Sequence, residues 1–161
     1  MEPSWKPSPP ETVVAADVAR GSCRLLWYQG LAALCEVPLA DGHRADILAL
    51  SPAGEILIVE IKVSAADLLG DRKWQHYSAF ADRFAWAVPP HLAHLLEQER
   101  FAPDRCGLIV ADRHEAIWMR DPAHTPLAPA RRKAVTLGFA RLGAARALRA
   151  NDPQFEGFLQ Y

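Results

Sequence analysis

Cysteine is scarce in this chain: Cys23, Cys35 and Cys106 are its three, with no CxxC pair in 161 residues. An odd count at such spacings excludes a disulfide framework and suits free thiols in a reducing cytoplasm. Structural zinc needs close ligand pairs, and these are missing too. No apolar run approaches the roughly 18 residues that a membrane-spanning helix takes. The N-terminal MEPSWKPSPPE carries four prolines and no apolar core, so it reads as no secretion signal. The expectation is a cytoplasmic protein without membrane contact. Gly-rich phosphate loops and Ser or Cys nucleophile arrangements are absent as well. So is a basic excess, since the formal net charge is -1. Strong non-specific binders of duplex DNA carry such an excess, so any nucleic-acid contact here has to come from a local patch.

What the chain does have is apolar content. Half of its residues are hydrophobic, enough for the core of one globular domain. Residues 1–10, rich in proline and serine, read as a flexible tail, and 11–161 as a single domain. Val13, Val14, Ala16 and Val18, then Leu25 and Leu26, suit a helix over 12–30, bent near Gly21. A strand over 34–39, a two-residue turn at Asp41-Gly42 and a strand over 44–50 read as a hairpin. A turn at 51–55 leads to a third strand over 56–62. Ser64 is placed to cap a helix over 65–80, with Asp67 in its first turn. A strand over 83–88, a helix over 91–98, a strand over 106–111 and a short edge strand over 116–119 follow. A proline-rich loop at 122–129 leads into a last helix over 130–150. The second and third strands carry apolar residues at both parities, as strands covered on both faces do. This order predicts an α/β fold, a three-layer α/β/α sandwich with a mixed central sheet.

Glu60 and Lys62 end the apolar run Ile56-Leu57-Ile58-Val59 and project from one face of their strand. Such residues are poor strand formers and rarely lie buried without partners. Folding the second and third strands into a hairpin centred on Ala53 sets Leu50 against Ile56 and Leu48 against Ile58. The same register sets Asp46 against Glu60 and Arg44 against Lys62. Two carboxylates then face each other at roughly 5 Å between Cβ atoms, which is destabilising unless something binds between them. Mg2+ or Mn2+ suits an all-oxygen site of this kind and retains waters that can attack a phosphodiester. Lys62 is placed to steer or activate the nucleophile, and Arg44 to hold a phosphate oxygen. The alternative is an exposed strand end with an ordinary ion pair.

At these residues the chain resembles a known family. R-A-D-I-L-A-L, a turn, then G-E-I-L-I-V-E-I-K-V-S is similar to the pattern of the PD-(D/E)xK nuclease superfamily, although Ala45 stands where that pattern has proline. More narrowly, A-R-G-S-C-R-L-L, E-I-K-V-S, D-R-K-W-Q-H-Y, D-R-F-A-W-A-V-P, G-L-I-V-A-D and L-A-P-A-R-R-K-A-V-T-L resemble the MmcB family of bacterial DNA repair proteins. These stretches span about residues 13 to 150. The resemblance implies a restriction-endonuclease-like fold, a role in DNA repair and DNA as partner, single-stranded or branched, with repair proteins as further partners. It implies Asp46 and Glu60 as metal ligands, the carbonyl of Ile61 as a third, and Lys62 as the catalytic lysine. Several superfamily members add an acidic residue from the first helix; Glu11 and Asp17 are the candidates there, and Glu36 on the first strand is another, which a two-residue turn would point away from Asp46. Two further readings stay open: a non-catalytic DNA-binding or protein-interaction module on the same fold, and an unrelated α/β enzyme using the same carboxylates.

Other segments carry weaker signals. Lys73 and Tyr77 share a helix face at i and i+4, where Lys73 can touch a phosphate while Trp74 stacks on an unpaired base. A packed aromatic with solvated charges is the plainer reading. His91, His94 and Glu97 have helical metal spacing but read more simply as surface residues. Arg131, Arg132, Lys133, Arg141, Arg146 and Arg149 make the last helix the most basic segment, suited to a DNA backbone or to ordinary helix charge.

Overall fold

The computed structural model describes residues 12–157, so the expected tail at 1–10 and the candidate Glu11 lie outside the described residues. Among the described residues six strands form one sheet whose spatial order is the chain order: β1 (Ala32–Pro38), β2 (Arg44–Leu50), β3 (Ile56–Ile61), β4 (Arg83–Val88), β5 (Gly107–Ala111) and β6 (Ala116–Arg120). β1, β2 and β3 pair antiparallel, β3, β4 and β5 parallel, and β6 returns antiparallel. The sheet is therefore mixed, and α/β is the class.

Both faces are covered along β2 to β5, whose strands carry apolar side chains at both parities, while Ile117 and Met119 of the edge strand β6 are exposed. On one face Ile47, Ala49, Leu57, Val59, Ala85, Ala87 and Ile109 pack with Val18 and Leu26 of α1 (Ala15–Tyr28). α1 is uninterrupted at Gly21. That glycine serves close approach instead of a bend, since a Cβ there would lie 3.4 Å from the Cβ of Ala116. On the other face Leu48, Ile56, Ile58, Phe84, Trp86 and Leu108 pack with Leu68 of α2 (Ala65–Gly70), Trp74, Leu96 and Leu142 of α3 (Pro129–Asn151).

Three local expectations are corrected. The helix over 65–80 stops at Gly70 and resumes as a 3-10 helix at Trp74–Ala79, so Lys73 and Tyr77 do not share one α-helical face. Pro90–Glu97 is also 3-10. The first hairpin has a three-residue loop, with the Leu39 N–H donating to the His43 carbonyl and Gly42 at φ 87°. Only a residue without Cβ tolerates that angle cheaply. The one-residue change in register puts Glu36 opposite Asp46, between the pairs Cys35↔Ile47 and Val37↔Ala45.

At that position the sheet changes face. Cys35 and Ile47 pack toward α1, whereas Val37 and Ala45, two residues on, pack in the opposite cluster. A regular strand keeps residues two apart on one face. Glu36 absorbs the change with a left-handed backbone, φ 51°.

Candidate functional site

The β2–β3 ladder follows the expected register from Leu50↔Ile56 to Ile47↔Val59 and then stops. β3 continues in step with β4, pairing Glu60 with Trp86 and Ile61 with Ala87. The Lys62 N–H donates to the Ala87 carbonyl at 3.1 Å, so the polar groups of the preceding residue, Ile61, point away from β4 and toward β2. There the Ile61 N–H finds not a backbone carbonyl but Asp46 Oδ2, at 2.7 Å. Asp46 thus fills the gap between the diverging strands.

Glu60 sits beside it, 7% exposed. Burial, then the charge of Asp46, pushes its carboxyl up to about 7, against the pull of Lys62. Burial also raises Asp46, opposed by the Ile61 N–H. Glu60 Oε1 lies 3.4 Å from Lys62 Nζ, while Oε2 is buried with no hydrogen-bond partner among the described residues. A buried acceptor in that state costs about 1–3 kcal/mol.

Lys62 is itself buried, among three carboxylates: Asp71 Oδ2 at 2.9 Å, Glu60 Oε1 at 3.4 Å and Asp67 Oδ2 at 3.8 Å. Burial works to lower its pKa, but Asp71 and Glu60 outweigh that and raise it. Asp71 is the residue that sequence reasoning missed. It caps the end of α2, accepts the N–H groups of Lys73 and Trp74, and is held ionised because these bonds and Lys62 overcome its burial. Gly70 before it, a common helix stop, was the available signal.

The remaining candidates distribute differently. Ile61 offers a carbonyl on the Asp46 side of β3. Arg44 pairs with the exposed Glu36 at 3.6 Å instead of lying beside Lys62. Tyr77 is buried and its hydroxyl donates to the Arg44 carbonyl at 3.0 Å, holding the start of β2. Trp74 is a core residue, its ring 5.7 Å from both Phe84 and Trp86, which leaves no open face for a base. Lys73 is exposed. Asp17 accepts from the Val14 N–H and Arg20 at the start of α1 and is committed there. Among the described residues no three His, Cys, Asp or Glu side chains converge to hold a metal, so His91, His94 and Glu97 form no site. Glu97 instead pairs with Arg120 at 2.8 Å. The basic residues of α3 are largely structural: Arg132 grips Asp82, Arg146 the carbonyls of Cys35 and Glu36, and Arg149 that of Gly157.

A family model described as DNA repair protein MmcB-like matches residues 6–154, which takes in every residue of this site. The chain belongs to the MmcB-like family of DNA repair proteins. A solved structure agrees in fold: a protein of unknown function from Silicibacter pomeroyi is 35% identical, with a TM-score of 0.82 over 96% of this chain and 100% of that one. No curated protein matches. The MmcB-like family thus carries the connection with DNA repair, and the helices seen here include none long and apolar enough to cross a membrane, among the described residues.

Proposed function

We propose that this MmcB-like protein is a metal-dependent DNA phosphodiesterase of DNA repair, with a restriction-endonuclease-like fold as the PD-(D/E)xK resemblance implies. The observation that carries the reading is the buried, unpartnered Oε2 of Glu60 beside the half-buried carboxylate of Asp46. A hard divalent cation satisfies both, and the oxygen-only donor set suits Mg2+ or Mn2+. Asp46, Glu60 and the Ile61 carbonyl would hold it, with water in the remaining positions. When bound, such an ion supplies charge stabilisation at the phosphate and an activated water.

The chain's own residues do the rest. Asp46 ties the Ile61 backbone in place, so the carbonyl donor is fixed by the same group that would bind the ion. Lys62 presents a cation held by Asp71, Glu60 and Asp67, aimed by contacts rather than free in solvent. DNA contacts beyond the site fall to exposed residues such as Arg44 and Lys73, whereas Trp74 and Tyr77 act by supporting the fold.

Purified protein with Mg2+ or Mn2+ should cleave single-stranded, duplex or branched DNA, and Asp46→Asn or Lys62→Ala should stop cleavage while the protein stays folded. Absence of cleavage on all three would end the nuclease reading. The surplus of carboxylates around Lys62, of which only Glu60 lies beside the proposed ion, favours one second reading: a DNA-binding module without catalysis. It predicts DNA affinity that is unchanged in chelator.

A further inference from the structure

Cys23 and Cys35 are 12 residues apart, yet their sulfurs meet at 3.6 Å where α1 packs on β1. Both are half-buried, whereas Cys106 is buried in the core. The two are not bonded. A disulfide needs sulfurs at about 2.05 Å, so closure asks for an approach of roughly 1.5 Å, the scale of side-chain adjustment. The hydrogen bond with Cys23 draws the Cys35 thiol down to about 7, against burial and with help from Arg146. Cys23 is raised by the same hydrogen bond and by burial. Arg146, bonded to the Cys35 carbonyl, favours the thiolate on that side, so Cys35 is the attacking thiol and Cys23 the resolving one.

We propose that Cys23 and Cys35 are an oxidation site that closes reversibly into an intramolecular disulfide. The oxidant is a low-molecular-weight disulfide. Cys35 thiolate attacks one of its sulfurs and expels one thiolate, leaving a mixed disulfide on Cys35. Cys23 loses its proton to solvent and attacks the Cys35 sulfur, expelling the second thiolate. Two protein thiols are oxidised and one small disulfide is reduced to two thiols. The new bond ties α1 to β1 one residue before Glu36, where Arg146 holds the Cys35 and Glu36 carbonyls and the sheet changes face. This inference is independent of the nuclease reading.

The test treats the full chain with oxidised glutathione and maps peptides by mass. The expected product is a monomer short of two hydrogens, with Cys23 and Cys35 in one linked peptide, reversible by dithiothreitol. Cys106 should stay free, and the same link should form in Cys106→Ser. Thermal denaturation should shift up by about 5 °C in the oxidised form, because the link restricts the unfolded chain. Cys23→Ser should stop at a glutathione adduct on Cys35, and Cys35→Ser should add little at Cys23. Persistent glutathione adducts on the wild-type chain, links only between molecules, or unlinked thiols that alkylate at equal rates would each overturn the proposal.

Discussion

The two ends of β3 bury the same functional group and treat it in opposite ways. At the Ile56 end, Asp82 is buried with every lone-pair direction used: it accepts from the N–H groups of Ile56 and Leu127, each at 2.8 Å, and two bonds of 2.6 Å from Arg132. Although burial opposes it, Arg132 and the two N–H groups draw its pKa down to about 2. At the other end Glu60 has a long contact to Lys62, Asp46 and Tyr77 as neighbours, and an oxygen with no hydrogen-bond partner, and its pKa goes up to about 7. Burial is common to both; partners differ. Asp82 joins β3 to the loop before α3 and to α3 itself, and is structure. Glu60 is costly to the fold, and such cost persists where a ligand or a reaction draws on it.

Breaking each end should therefore give opposite results. Asp82→Ala leaves Arg132 without its partner and two N–H groups unsatisfied, and should cost about 3–5 kcal/mol in urea denaturation. Glu60→Gln in chelator should stay within about 0.5 kcal/mol of the parent, because it removes a buried charge and keeps the shape. If both variants lose stability alike, the contrast fails. In cleavage the order should invert. Glu60→Gln is expected to lose at least about 100-fold with Mg2+ present, roughly 2.7 kcal/mol of transition-state stabilisation.

Ion binding sharpens the comparison further. Mn2+ at a hundred times its dissociation constant should stabilise the parent by about 2.7 kcal/mol, read as a shift in the thermal transition, and should not stabilise Glu60→Gln. Part of the acid side belongs to Asp82. Its folded pKa lies below its ordinary 3.8, so its stabilisation is fully present above that value and is lost as pH falls toward about 2. The loss should be about 2 kcal/mol over that window. Titrating stability from pH 5 to 2 should show it in the parent and not in Asp82→Asn.

Much of the site could be read before folding. The turn centred on Ala53 set the β2–β3 register through Ile47↔Val59, which brought Asp46 and Glu60 to the same end. The divergence beyond that pair was not legible, because it arises when β4 takes Glu60 and Ile61 as its own partners, a competition between strands far apart in sequence. Arg44 was misplaced for the same reason. Trp74 looked available to DNA until β4 supplied Phe84 and Trp86 to cover it. Cys23 and Cys35 looked unrelated because spacing along the chain does not show that α1 folds back over β1.

Asp71 is the smallest and most discriminating of these tests. It touches Lys62 and not the proposed ion site, so it acts by positioning. Asp71→Asn keeps an oxygen for the Lys73 and Trp74 N–H groups, so the end of α2 should hold and thermal stability should change little. What it removes is the closest negative partner of Lys62. Cleavage should then fall about tenfold, roughly 1.4 kcal/mol, in kcat more than in KM. The alkaline limb of the pH–rate profile should also move down, because the neighbour that keeps Lys62 protonated has gone. A purely structural role predicts lost stability with an unmoved pH profile, and that result would return Asp71 to the fold and leave Lys62 to Glu60 and Asp67.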